Sequence, residues 1–234
     1  MTIQETILKL KLRTNKLDSQ AYDNLQLWTM IEALNKASIN VVSLLYGQNN
    51  TYKSGFESTR KRVDDLQKLM TDEPYKLNIS KIEKEKGFVI TNKLPDDYLH
   101  YIRSIAIASK NKCIKNIRLY QAEESNINTY LANEFIKPSF LWAESLVVIS
   151  NDKLKVYVDD FNIDYIDLYY LKVPPKMDIS GYTKLDGSSS IDIHPIFNDD
   201  VMELIIDHAS RIIKGDIQDM LGVNISQNNI SLNE

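Results

Sequence analysis

The chain has one cysteine, Cys113, so no disulfide can close within it. A lone thiol fits a reducing compartment, and the plainest role for Cys113 is a small buried side chain in a strand. No run of about 18 apolar residues occurs, so no membrane-spanning helix is expected. Met1 to Glu5 offer no basic start, apolar segment or cleavage site, so no signal peptide is expected either. The net charge of −4 lacks the strong basic excess of a dedicated nucleic-acid binder. Proline is sparse and unevenly placed: all six prolines lie between Pro74 and Pro195. Proline breaks helices by removing a hydrogen bond and clashing with the preceding turn. Proline-free flanks around a proline-punctuated centre therefore predict helices at both ends and strands between them.

What is present agrees. Leu25, Trp28, Ile31, Leu34, Val41, Val42 and Leu45 recur at helical spacing, with Asp18 or Ser19 as cap and Gly47 as stop. After a Gln48-Asn49-Asn50 loop, Phe56, Val63, Leu66 and Met70 predict a second helix. Its other face, Arg60, Lys61, Arg62, Asp64 and Asp65, reads as solvated. Residues 3–12 read either as a short helix or as an arm laid on a neighbouring subunit. In the centre, 75–82, 87–94, 101–108, 113–120, 146–149 and 154–158 read as strands, with one or two helical turns over 125–135. Asn151-Asp152 is a hairpin signal because both residues tolerate positive φ. A long strand ends in Val173-Pro174-Pro175, a Gly/Ser loop follows, and a last helix opens at Asn198-Asp199-Asp200 and runs towards Gly222. Beyond it, 224–234 reads as a polar tail.

The expected fold is therefore α+β: a helical module from both chain ends (1–73 plus 196–234) with an inserted antiparallel β-rich domain (74–195). Within the module, Trp28 and Leu34 are expected to pack on Ile205, His208 or Ile212.

Catalytic signatures are missing. His100, His194 and His208 share no metal-ligand spacing with one another or with Cys113. His208 sits in the apolar rhythm of the last helix, as a core or interface histidine would. Asp186-Gly187-Ser188-Ser189-Ser190 lacks the second glycine and the lysine of a phosphate loop. Asp159 and Asp160 point to opposite strand faces, as do Asp164 and Asp167, so no face collects them as metal ligands. No cofactor, metal or catalytic turnover is expected. The interaction candidates are Val173, Pro174 and Pro175, which must end strand pairing, Gly181 and Gly187 in a rigid extended loop over 176–195, and Asp199 and Asp200.

Several segments carry a resemblance: Lys93-Leu94-Pro95-Asp96-Asp97-Tyr98-Leu99, Phe135-Ile136-Lys137-Pro138-Ser139, Ile163-Asp164-Tyr165, Lys172-Val173-Pro174-Pro175 and Glu203-Leu204-Ile205-Ile206-Asp207-His208-Ala209. In this order the chain, from about Asp18 to Gly222, resembles the head-to-tail adaptor or tail-tubular ring proteins of short-tailed bacteriophages. It is most similar to structural proteins of crAss-like phages. The resemblance implies a virion protein at the head–tail junction, made in the host cytoplasm. It would form a homo-oligomeric ring, a dodecamer by the family, that docks on the portal protein and on other ring or tail proteins. DNA would pass its channel without sequence-specific binding, and no membrane would be involved. Charge is asymmetric: residues 1–90 carry 14 basic and 11 acidic side chains, and 91–234 carry 14 and 21. An acidic channel surface would let DNA slide; equally, the excess acid serves solubility alone. The alternatives are an enzyme whose site no short motif reveals and a stand-alone protein-binding module.

Overall fold

Turn chemistry and alternation in the centre produce seven strands among the described residues: β1 (Tyr75–Glu83), β2 (Phe88–Lys93), β3 (Tyr98–Lys110), β4 (Cys113–Gln121), β5 (Glu144–Ser150), β6 (Lys153–Tyr157) and β7 (Asn162–Lys172). This computed structural model describes residues 1–14, 25–47, 57, 60–83, 87–184, 187–216 and 227–231. Asn151 and Asp152 both adopt positive φ (51° and 56°), the geometry that a two-residue hairpin between β5 and β6 demands. Asn111 and Lys112 (49° and 65°) do the same between β3 and β4.

The strands close into a barrel in the order β1-β2-β6-β5-β4-β3-β7. Two features depart from the expected antiparallel domain. β1 pairs with β7, which closes the sheet on itself, and β4 pairs with β5 in parallel. Parallel neighbours need a crossover. Here it carries a 3-10 turn (Glu124–Asn126) and helix α4 (Ile127–Ala132). The chain is thus α+β around a closed barrel.

Inward side chains fill the barrel. Leu77, Ala106, Ile117, Leu154, Ile166 and Leu168 are fully or almost fully buried in it. Interior hydroxyls find partners: Tyr101 Oη lies 2.8 Å from Ser104 Oγ and 3.4 Å from the Leu119 carbonyl, and Thr91 Oγ1 accepts from Leu154 N–H at 3.0 Å. On the outside, Ile127 of α4 packs against Leu146, Val148 and Tyr157. Bulges bend the strands. Register shifts between Ile79 and Lys81, where Ser80 donates to the Ile90 and Thr91 carbonyls. Another shift, between Ile107 and Ala108, leaves Asp164 unpaired on β7. That extra residue overturns the alternation argument for Asp164 and Asp167: both now lie on the outside of the strand, while Ile163, Ile166 and Leu168 point inward.

The chain divides into two compact units, Met70–Lys172 and Met1–Leu69 with Val173–Glu234. Residues 173–195, which the sequence groups with the strands, fall in the second of these. In that unit α1 (Ile3–Arg13) starts at a capping box. Glu5 N–H donates to Thr2 Oγ1 (3.3 Å) and Thr2 N–H to Glu5 Oε2 (2.8 Å), which holds the Glu5 carboxyl below its ordinary pKa. Residues 3–12 are thus helical, packed on α5 (Asp199–Asp216) of the same chain. α2 (Leu27–Tyr46) buries Met30, Leu34, Val41 and Val42 and also packs on α5. Gly47 ends α2 in extended backbone (φ −85°, ψ 176°), not in the left-handed turn that a glycine stop usually supplies. α3 is short (Arg60–Leu66).

Four expectations are corrected. Trp28 is 55% exposed, so it is not the core anchor, although Leu34 is buried. Trp28 stands exposed in the first turn of α2, and its indole N–H donates to Gln26 Oε1. Arg62 is buried, not solvated, because the seven-residue α3 turns it inward beside Leu66. Cys113 is exposed, since it starts β4 at the tip of a hairpin. The polar tail has a helical turn over 227–231 with Ile230 buried. The expected caps Asp18 and Ser19, Phe56, the Gln48–Asn50 loop and the helix end at Gly222 lie outside the described residues.

Candidate interaction surface

The residues that the sequence nominates do not gather into one site. Val173 and Pro175 are exposed and Pro174 is buried, directly after β7. Beyond them the expected extended loop folds back on itself. Asn35 of α2 clamps Met177 at both ends, accepting from its N–H (2.8 Å) and donating to its carbonyl (3.0 Å). Asp178 and Ile193 exchange backbone hydrogen bonds, and Thr183 bridges Ser189. The Asp178 carboxylate accepts from Tyr182 Oη (2.7 Å) and Ile179 N–H (2.9 Å) and pairs with Lys184 (2.8 Å). Burial alone would raise its pKa, but these donors together hold it below the ordinary carboxylate range. Burial and the same carboxylate push Tyr182 up to about 12. Gly181 (φ 112°) and Gly187 (φ 82°) sit at exposed bends of this arm, with open space around them. The loop is a short folded arm because its own polar groups find partners within it. Asp199 is engaged by the Met1 ammonium (2.8 Å), which lowers its pKa, and Asp200 is exposed in the first turn of α5. Ile3 N–H donates to His194 Nδ1 at 3.3 Å, and His208 is buried in α5.

The surface that stands out is on the barrel. Register fixes its two ends. At one, the chain enters at Tyr75 and leaves at Lys172, beside the Lys93–Tyr98 and Ser150–Lys153 connections. At the other, Glu83 meets Phe88, Lys110 meets Cys113 and Ser109 meets Asn162. This second end receives the last part of the crossover. Phe140–Ala143 runs along β4, with Arg118 N–H donating to the Ala143 carbonyl (2.9 Å) and Lys115 Nζ 3.5 Å from the Phe140 carbonyl.

That segment is a tight, braced turn. Ser139 and Glu144 exchange backbone hydrogen bonds (2.8 and 3.2 Å), and Trp142 N–H donates to Ser139 Oγ (3.3 Å). Ala143 takes φ 56°, a left-handed conformation that L side chains adopt at a cost and that tends to mark functional turns. Phe140 turns in, its ring 6.0 Å from that of Phe161, and packs on the barrel core. Leu141 and Trp142 turn out, 78% and 76% exposed, and Phe135 earlier in the crossover is 94% exposed. Large apolar side chains held out in solvent by a structured loop mark contact sites more often than isolated surface leucines do.

Beside this knob a recess of about 310 Å³ opens in the same end, lined by Ile82, Val89, Val158 and Phe161 and by the carboxylates of Asp159 and Asp160. Both carboxylates are exposed in the bend before β7 and not on a strand, and Lys110 pairs with Asp160. Among the described residues, no three of His, Cys, Asp and Glu are grouped to hold a metal ion. None of their helices is long and apolar enough to cross a membrane.

Sequence reasoning treats Phe135-Ile136 only as part of a pattern and passes over Leu141-Trp142. The available signal is apolar residues on both sides of Pro138 in a stretch with neither helical nor strand periodicity. No protein-family model matches the chain, and no curated protein matches it.

Proposed function

We propose that this chain is a virion structural protein, a ring subunit of the head–tail connector of a short-tailed phage. It would dock below the portal, extend the DNA channel and present a platform for the tail. The observation that carries the reading is the braced apolar turn at the end of the barrel, where Leu141 and Trp142 stand in solvent. A side chain of this kind is an anchor for docking, and it is a costly thing to expose without a partner. In this reading the architecture is a helical module drawn from both chain ends that carries the barrel as an insertion. The chain then works by contact area, with no turnover, cofactor or metal. Its tyrosines fit, since tyrosine gives large contact area at low rotamer cost.

Negative-stain imaging of the purified chain, alone and mixed with portal particles, tests the reading. Rings, tubes or decorated portal faces are expected. Compact monomers that leave portals bare would refute it.

A further inference from the structure

We infer that the barrel end carrying Phe140–Ala143 is a self-docking surface, in which the Leu141–Trp142 knob of one copy seats in the recess of the next copy. The inference rests on the ring reading only for the closing of the contact into a ring.

Four observations meet here. The knob does not fill its own recess, because Leu141 and Trp142 remain more than three-quarters exposed. Knob and recess share one end of the barrel but rise from different strands. The knob stands beside β4 and β5, whereas the recess opens where β1, β2 and β6 meet the bend before β7. A contact between unlike patches at the same level is heterologous, and it propagates from copy to copy into a ring or a filament. The chemistry matches: the recess has an apolar wall and room for one aromatic side chain, near the lower limit of roughly 300 Å³ for small-molecule pockets.

Charge matches as well. Lys115 stands at the base of the knob, its Nζ 3.5 Å from the Phe140 carbonyl and 5.1 Å from the centre of the Phe140 ring. Asp159 and Asp160 rim the recess, the latter engaged by Lys110. The knob also needs little ordering on contact, since the Ser139–Glu144 bridge already braces it.

Complementation between two variants tests the contact. Leu141→Ser with Trp142→Ser removes the knob, and Asp159→Arg, at an exposed position, blocks the recess with a long cation. Circular dichroism first checks that each variant folds as the parent does. Light scattering at rising concentration then reads association. The parent is expected to assemble, and each variant to associate at least ~30-fold more weakly, the size of a hot-spot loss. A mixture of the two should form dimers and nothing larger, because one intact knob meets one intact recess. An independent check uses Cys113→Ser chains carrying either Trp142→Cys or Asp159→Cys, which should form a mixed disulfide on oxidation.

A parent that stays monomeric overturns the inference, as does association only in the presence of a different protein. If both variants still form the parent's rings, the ring reading survives and this surface falls. If the dimers form as expected but portals stay bare and rings never close, the docking stands and the connector reading falls.

Discussion

The barrel and the helical unit are held together by different physics. The barrel interior is almost wholly apolar, and its strands leave few polar groups to satisfy beyond the ladder itself. The helical unit closes through charge as well as burial. Ile3, Ile7 and Leu10 of α1 are buried, yet Lys9 and Arg13 reach Glu203, and Arg13 also engages Asp207, a carboxylate that is 2% exposed. Burial of apolar surface does not respond to charge screening or to pH. A charged seam is sensitive to both, through screening and through the cost of stranding one partner. The difference teaches where each unit should fail first.

The largest effect belongs to the barrel. Leu168 lies at the centre of β7, paired on both sides with β1 and β3, and is fully buried. Leu168→Ala should cost about 2–5 kcal/mol in chemical denaturation, from lost transfer energy and the cavity left behind. The loss should be the same at low and high salt. A salt-dependent loss would mean that the barrel shares the electrostatic character of the other unit.

A smaller effect is expected at the seam. Arg13→Met keeps the aliphatic stem but leaves Asp207 buried without this partner. Breaking a buried ion pair costs ~3–5 kcal/mol, and the partial exposure of Arg13 lets water offset much of that. About 1–2 kcal/mol is a fair expectation. Unlike the Leu168 effect, it should shrink as salt rises, because salt weakens the parent pair. Denaturation of both variants across a salt series makes the comparison direct.

Legibility in the sequence follows the same division. What depends on neighbouring residues can be read. Asn151-Asp152 turns the hairpin, Pro174 and Pro175 follow the end of β7, and the Leu34–Val41–Leu45 rhythm gives α2. What depends on distant pairing cannot. Nothing local says that Tyr75 will meet Leu168 and close the barrel, or that an extra residue at Asp164 will turn two aspartates to one side. Trp28 misleads because a large apolar residue at helical spacing looks like core, while burial is decided by the face that α5 covers. The knob is missed for a related reason: periodicity finds side chains that point into a core, and Leu141 and Trp142 point away from one.

The smallest effect is in the arm over 176–195, where a single carboxylate holds several donors. The folded pKa of Asp178 lies below its unfolded value. Its contribution is therefore present above about pH 4, where the unfolded carboxyl is already ionised, and is lost as pH falls through the lower folded value. Tyr182 works in the opposite sense. Its folded pKa, about 12, is raised above the ordinary value of 10, so its contribution holds below pH 10 and disappears as pH rises through the folded value. Asp178→Asn at neutral pH removes the charge while keeping an acceptor for Tyr182. The arm should loosen by about 1 kcal/mol, the difference between a charged and a neutral acceptor. Amide exchange is the appropriate probe, since the Ser190 and Ile193 N–H groups donate within the arm to Tyr182 and Asp178 carbonyls (3.1 and 2.9 Å). Their protection should fall several-fold in the variant while amides of β3 and β7 stay unchanged. Unchanged protection at Ser190 and Ile193 would show that the backbone bridges alone hold the arm, and that the carboxylate is a passenger.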